Sequence, residues 1–299
     1  MVVGQIALRI TAVDLSRIYP KRQANVHKGQ FGTVLVVCGS KLYSGSAALA
    51  AVGAVRAGAD LAVVTAVERA ANIAANTLPD LITYPLRGSQ LTSSHVSQIL
   101  KIARLRKVNS MVIGCGLGNH RSTLLAIRKL IQKITVPSVI DADGLAAISK
   151  GDIKLNDRPA VLTPHLGELA KLLNRASINN DMESRLAGAK QAAHQYKAVV
   201  LLKGPVDIIT NGISTITNNT GTPFMTKGGT GDILAGILGA ILARGVDYMQ
   251  AAQAAAYING RAGELASFEM GEGLAASDMF EFIPKVINTD ESDIQTSAA

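Results

Sequence analysis

Short β-branched and aliphatic runs alternate along the chain with Ala-rich stretches of helical period. Thr33–Cys38, Leu61–Thr65, Ser110–Ile113, Ser138–Ile140, Ala160–Leu162 and Val199–Leu202 are nearly continuous in apolar residues. They lack the alternation of a sheet with one wet face, so they predict strands covered on both sides. Between them, the pattern predicts helices over Ser46–Ala57, Ser93–Lys107, Ser122–Lys133, Met182–Tyr196, Gly231–Arg244 and Gln250–Ser267. A strand–helix–strand succession at this spacing requires right-handed crossovers, hence an α/β fold with a mostly parallel sheet and helices on both faces. Asp207–Ile209 and Ser214–Ile216 flank Asn211-Gly212 and predict a hairpin. No long Ser/Pro/Gly linker or internal repeat divides the chain. A single domain is therefore expected over 1–287, followed by a polar tail, 288–299, expected to be disordered.

Composition narrows the possible partners. The 299 residues are 48% apolar, enough for a large aliphatic core, and only 4% aromatic. Thirty Lys and Arg against 22 Asp and Glu give a net charge of +8, although Asp290, Glu291 and Asp293 add negative charge near the end. A positive surface favours anionic partners. The basic residues are scattered, with few aromatics among them, which argues against a specific nucleic-acid platform and for a phosphorylated small molecule. Cys38 and Cys115 lie too far apart in sequence for a disulfide scaffold or a clustered zinc site and read as small hydrophobes. The N-terminus has no secretory pattern, and Ile233–Ala243 is far shorter than the roughly 20 residues of a membrane span. A soluble, cytoplasmic protein without a membrane partner is expected.

Candidate chemistry gathers where strands end. Ligands of open parallel sheets bind beyond the carboxyl ends of the strands. Here those ends run into Gly39-Ser40, Gly114–Gly118, Asp141-Ala142-Asp143-Gly144, Thr163-Pro164-His165-Leu166-Gly167-Glu168 and Lys203-Gly204. One such turn is ordinary; their repetition along the sheet points to a site. The sharpest local signal is Lys227-Gly228-Gly229-Thr230-Gly231-Asp232, running into a helix that is apolar all round. Its glycine-rich start presents free N–H groups and the positive end of a helix dipole, a seat for phosphate. Asp232 there is either a helix cap or a base beside the phosphate. There is no GxxxxGK[ST], and Gly114–Gly118 has GxGxG spacing, so neither a P-loop nor a Rossmann dehydrogenase fits.

The set of motifs resembles a known family. The Gly-Gly-Thr-Gly-Asp helix start is similar to the anion hole of the ribokinase-like superfamily. Within it the chain resembles the ADP/ATP-dependent NAD(P)H-hydrate dehydratases from about Ile10 to Ile287. The matching pieces are His27-Lys28-Gly29, Phe31-Gly32, Gly39-Ser40, Tyr43-Ser44-Gly45 and Arg56–Asp60, then Gly114–Gly118, Asp141–Leu145, Thr163–Glu168, Lys203-Gly204 and Lys227–Asp232. His165 stands where many related sugar kinases carry Asn. Cys115 replaces the family's usual Pro, and Ser46 stands where Ala is expected.

The resemblance implies a ribokinase-like fold and a reaction on hydrated NADH or NADPH (NADHX, NADPHX). The C6 hydroxyl of the S form would be phosphorylated, and phosphate then eliminated to restore the reduced nicotinamide. It implies Asp232 as general base, with Gly229, Thr230 and Gly231 as the anion hole. It further implies Ser46, Ala47, Gly116, His165 and Asp232 on the dinucleotide, and Lys203, Gly204, Pro205, Val206, Asp207 and Gly231 on ADP or ATP. Mg²⁺ would be held through water by Glu168. Asp141, Asp143 and Lys28 are left between a structural and a functional role. ADP is the favoured donor, and the resemblance implies a homo-oligomer, a tetramer in the family's manner, working with a separate epimerase. The competing readings are a small-alcohol kinase of the hydroxyethylthiazole or hydroxymethylpyrimidine type and a non-catalytic nucleotide sensor.

Overall fold

The computed structural model describes residues 12–149, 153, 155 and 159–288, with side chains from residue 15 onward. The N-terminal stretch and, beyond Asn288, the predicted tail lie outside the described residues. Among the described residues, nine strands form one sheet in the order β3-β2-β1-β4-β5-β6-β7-β8-β9. They are β1 Thr33–Val37, β2 Leu61–Val67, β3 Ile82–Leu86, β4 Ser110–Ile113, β5 Ser138–Ile140, β6 Ala160–Leu162, β7 Val199–Leu202, β8 Asp207–Thr210 and β9 Thr215–Asn218. Pairing is parallel from β3 across to β7 and antiparallel in β7–β8 and β8–β9. Every residue of β1, β4, β5, β6 and β7 is buried, as their unbroken apolar runs predict.

The helices are α1 Ala12–Ile18, α2 Ser46–Arg56, α3 Glu68–Thr77, α4 Val96–Leu105, α5 Arg121–Lys133, α6 Asp143–Ser149, α7 Leu166–Leu172, α8 Met182–Tyr196, α9 Thr230–Ala243, α10 Tyr248–Met270 and α11 Phe282–Ile287. They divide between the two faces of the sheet. On one face α2, α9 and α10 pack a core of small residues against Val34, Val36 and Val112. On the other, α4, α5, α7 and α8 cover Leu35, Met111, Ile140 and Leu162. Helix α9 is buried along Ile233–Ala243, and a Cβ added at Gly236 would collide with the Ala50 carbonyl of α2. The two helices are thus in backbone contact there.

The hydrophobic pattern places six of the strands within two residues, but it does not announce β3. That strand reads Ile-Thr-Tyr-Pro-Leu, is only half covered, and lies at the sheet edge, where Pro85 need not donate to a neighbour. Helix α3 was also unmarked, since its Ala-rich, low-hydropathy sequence buries only Ala70, Ala71 and Ala74. In the β8–β9 hairpin, Asn211 Oδ1 accepts from the amides of Ile213 (3.0 Å) and Ser214 (2.8 Å), closing the turn that Asn-Gly predicts. Among the described residues, no helix is long and apolar enough to cross a membrane.

Candidate active site

Because β1, β4, β5, β6 and β7 are parallel neighbours, their carboxyl ends share one rim. Asp141, directly after β5, is the hub of it. Its carboxylate is buried, and Oδ1 accepts from Lys203 Nζ (2.9 Å), after β7, and from Thr163 Oγ1 (2.8 Å), after β6. Its other oxygen, Oδ2, faces the thiol of Cys115 (3.6 Å), after β4. The backbone is shaped to allow this. Ala142 has a φ of 47°, and any Cβ at Gly114 would strike the Asp141 carbonyl. Chains β4 and β5 therefore approach too closely for a side chain at position 114.

Helix α9 brings the glycine-rich loop to the same rim. Gly229, with φ of 104°, is its N-cap, in a backbone region that L side chains rarely adopt. The first amides of the helix have no intrahelical acceptor and present the positive dipole end. Thr230 Oγ1 donates to the carbonyls of Met225 (3.1 Å) and Lys227 (3.2 Å), tying the loop down from behind. A Cβ at Gly231 would lie 3.5 Å from Lys203 Nζ and 4.0 Å from Asp141 Oδ2. The bare glycine keeps that space open. Asp232 stands beside it, and burial pushes its carboxyl up to about 6, with a hydrogen bond from Ser46 pulling the other way. Repulsion from Asp141 adds to the rise, and Lys203 opposes it. A carboxyl in this range can both accept and release a proton near neutrality.

Lys203 itself is held above the ordinary lysine range: burial works against its charge, but Asp141 and Glu168 outweigh burial. Removing its proton is thus harder than in water, and it stays a fixed cation on the rim. The loop beyond it is set by Asp207, whose Oδ1 accepts from the Gly204 amide (3.0 Å) and whose Oδ2 accepts from Asn218 Nδ2 (3.0 Å). From behind, the buried Arg185 of α8 donates to the Val206 carbonyl (2.6 Å) and leaves no room for a Cβ at Gly204.

His165 caps α7: Nδ1 accepts from the amides of Gly167 (3.0 Å) and Glu168 (3.4 Å), and its own amide donates to Glu168 Oε2 (2.8 Å). Burial raises the Glu168 carboxyl, against the pull of Lys203. The His165 ring is exposed and lines, with Asn119, Asp143, Glu168, Lys171 and Arg175, an open cleft of about 530 Å³ beside the hub. Asp143 accepts from the Gly118 amide (2.7 Å), so it braces the Gly114–Gly118 turn from the cleft wall.

The structure thus brings Ser46, Cys115, Asp141, Lys203, Gly231 and Asp232 together. Ala47 is buried one residue past Ser46, and Gly116 is close enough that a Cβ on it would strike the Ser46 hydroxyl. Arg185, Lys171 and Arg175 take part without having been singled out in the sequence, and Thr163, named there only as part of a strand-end segment, bonds Asp141. Arg185 could not have been found there, because a charged residue inside a helix reads as solvent-facing. Cys115, which the sequence reads as a small hydrophobe, is buried, and the fold sets its sulfur within 4.8 Å of oxygens on Asp141 and Asp232. His27-Lys28-Gly29, Phe31-Gly32 and Arg56–Asp60 lie at the other end of the sheet, before β1 and β2.

The mostly parallel sheet, with polar groups gathered beyond the strand ends and a glycine-rich helix start carrying an acid, is a ribokinase-like fold, shared with the ribokinase of Thermotoga maritima at a TM-score of 0.58 and 11% identity. Comparison with known proteins is more specific. The family model described as NAD(P)H-hydrate dehydratase matches residues 34–285, and the chain belongs to that family. The ADP-dependent (S)-NAD(P)H-hydrate dehydratase of Cenarchaeum symbiosum is 37% identical over 276 residues, covering 92% of this chain and 94% of that protein. The bifunctional NAD(P)H-hydrate repair enzyme of Pyrobaculum aerophilum is 41% identical over 276 residues, 92% of this chain but 54% of that protein. The chain spans about half the length of the bifunctional relatives it matches. Among solved structures, the ADP/ATP-dependent NAD(P)H-hydrate dehydratase of Bacillus subtilis, co-crystallised with ATP and Mg²⁺, superposes with a TM-score of 0.78 at 27% identity, covering 95% of this chain and 98% of that one.

Proposed function

We propose that the protein restores NADH and NADPH from their hydrated S forms, using ADP as phosphoryl donor. The observation that carries this reading is Asp232. It is a half-buried acid with its carboxyl pushed up to about 6, placed at a glycine-rich helix start beside a fixed Lys203–Asp141 pair. Hydroxide is a poor leaving group, so the C6 hydroxyl must be activated before it can depart. Asp232 takes the hydroxyl proton as the oxygen attacks the terminal phosphorus of the donor. The bond to the departing nucleotide breaks as the new P–O bond forms. The amides of Gly229, Thr230 and Gly231 receive the charge on the transferring group. The C6–O bond of the phosphate ester then breaks, phosphate leaves with the bonding pair, and loss of a ring proton restores the dihydropyridine.

The Lys203–Asp207 loop fits the nucleotide donor, with Lys203 facing its phosphates and Gly204 exposing backbone to it. Ser46, Ala47, Gly116 and His165 fit the dinucleotide side, the last from the wall of the open cleft. Glu168 offers a part-buried carboxylate at that wall, suited to an Mg²⁺ ion that keeps most of its waters. When bound, such an ion neutralises charge on the donor's phosphates. The same reading, from family likeness alone, makes the protein a cytoplasmic homo-oligomer supplied with the S form by a separate epimerase.

Hydrated NADH lacks the absorbance of the reduced nicotinamide, so its recovery reports the reaction. Recovery that requires ADP or ATP together with Mg²⁺ is expected. Accumulation of a stable phosphorylated alcohol from a thiazole or pyrimidine substrate, without nicotinamide recovery, would show a kinase instead. Nucleotide binding with no turnover of either substrate would show a sensor.

A further inference from the structure

We propose that Cys115, Asp141 and Asp232 form a binding site for one thiophilic divalent cation, of the zinc or cadmium class, and that an ion seated there stops turnover. The three residues come from separate segments: the turn after β4, the end of β5 and the first turn of α9. One sulfur and two carboxylate oxygens, one from each residue, lie within 4.8 Å of one another. A tetrahedral ion with M–S of about 2.3 Å and M–O of about 2.0 Å sets sulfur and oxygen roughly 3.5 Å apart. The Cys115 Sγ to Asp141 Oδ2 separation is 3.6 Å, so this edge of the tetrahedron already exists.

The surroundings leave the needed oxygen of Asp141 available, while at Asp232 an ion would replace the hydrogen bonds from Ser46 and Cys115. Lys203 and Thr163 both bond Asp141 through Oδ1, and Oδ2 is the oxygen turned to the thiol. Gly231 carries no side chain that could fill the space near Oδ2. Binding expels the thiol proton to solvent and converts Cys115 to thiolate. The three ligands then carry three negative charges, Lys203 offsets one, and the remainder matches a divalent ion. A thiolate beside carboxylates selects zinc, cadmium or cobalt over Mg²⁺, which takes hard oxygen donors. The inhibitory half of the proposal rests on Asp232 as base: an ion on its carboxylate removes the proton acceptor.

Cobalt(II) added to the full-length protein is the direct test, because a cobalt–thiolate bond gives a near-ultraviolet charge-transfer band that carboxylate or imidazole ligation does not. The band is expected to saturate at one equivalent per chain, to be displaced by Zn²⁺, and to vanish in Cys115→Ser. Absence of the band in the unaltered protein, or its persistence in Cys115→Ser, overturns the site. Should Cys115→Ser fail to fold, Asp232→Asn deletes a different ligand. Cobalt affinity is then expected to fall at least about tenfold with the band position kept, and unchanged affinity overturns the site. Turnover under saturating Mg²⁺ and ADP separates the second half. Zn²⁺ is expected to inhibit the unaltered enzyme at concentrations at least about tenfold below those that inhibit Cys115→Ser. If Zn²⁺ displaces cobalt yet leaves turnover unchanged, the inhibitory half fails together with Asp232 as base, while the cation site stands.

Discussion

The two ends of the sheet carry charged clusters of opposite character. At the amino end, Asp60 is fully used: Oδ2 accepts from the amides of Gly29 (2.9 Å) and Phe31 (3.0 Å), and Oδ1 from Arg22 (3.1 Å). Arg22 and Arg244 both lie over the Phe31 ring, and Arg244 donates to the carbonyls of Ile18 and Gly58. At the carboxyl end, acids crowd one another instead: Asp141 raises the carboxyls of Asp143, Glu168 and Asp232, each of which burial has already raised. One end spends its polar groups on fastening loops. The other keeps charge concentrated and incompletely neutralised, at a cost in stability, which is how reactive sites are recognised. Motif residues occur at both ends, so belonging to a motif does not by itself assign a chemical role.

The largest expected effect separating the two ends is Asp232→Asn, which should lower turnover by about 10²-fold or more with nucleotide binding intact. The same change should raise, not lower, the melting temperature at neutral pH. The folded-state carboxyl sits at about 6, above its ordinary value of 3.8, so the folded protein holds the proton more tightly than the unfolded chain. The resulting stabilisation is complete below the ordinary value and is lost as pH rises through about 6; the amide avoids that loss. Turnover near normal, or a lower melting temperature, would remove Asp232 from the chemistry and make it a structural cap.

Next in size is Lys203→Gln. It leaves the buried Asp141 carboxylate with Thr163 as its remaining strong donor. The expected cost is on the order of 2–3 kcal/mol, below the ~3–5 of a fully buried broken pair because Lys203 is partly exposed. The Michaelis constant for ADP should rise as well. Chemical denaturation and a titration of ADP in the nicotinamide assay measure the two effects; a loss of stability with an unchanged constant for ADP would move Lys203 out of the nucleotide site.

Much of this site could be read before the fold was known, and what could not has physical reasons. Buried parallel strands announce themselves by continuous apolar runs, and the residues beyond them must share a rim, so Gly116, His165 and Lys203 were placed correctly at strand ends. The glycine loop and apolar helix around Asp232 are equally local signals. The role of Asp141 is not local: a strand-end Asp is ordinary until Lys203, Thr163 and Cys115 arrive from other strands. Ser46 and Cys115 looked like minor departures from the family pattern, yet both reach the Asp232 carboxylate. The double use of His165, as a helix cap and as a cleft wall, required the backbone of α7. Nothing in the sequence distinguished the motif pieces at the amino end from those at the rim, because both are short Gly- and charge-bearing turns.

That last ambiguity is where the smaller predictions apply. Asp60→Ala should orphan the amides of Gly29 and Phe31 and release Arg22, destabilising the protein by about 1–3 kcal/mol. Turnover per folded molecule should be unchanged, because Asp60 lies at the opposite end of the sheet from the proposed site. Lys28 belongs to the same motif piece, and its side chain is exposed. Among the described residues Lys28 has no buried carboxylate partner and no place on the rim, and its neighbour Gly29 makes the loop's contact to Asp60 through the backbone. An exposed substitution of this kind changes stability by within about 0.5 kcal/mol. Lys28→Ala should therefore alter neither melting temperature nor turnover measurably. A fall in turnover at unchanged stability would mean that the amino end of the sheet reaches a substrate, in its own chain or in a neighbouring copy. The assay on Lys28→Ala, repeated across protein concentrations, separates those two cases and decides whether the two ends of the sheet are chemically separate in the working protein.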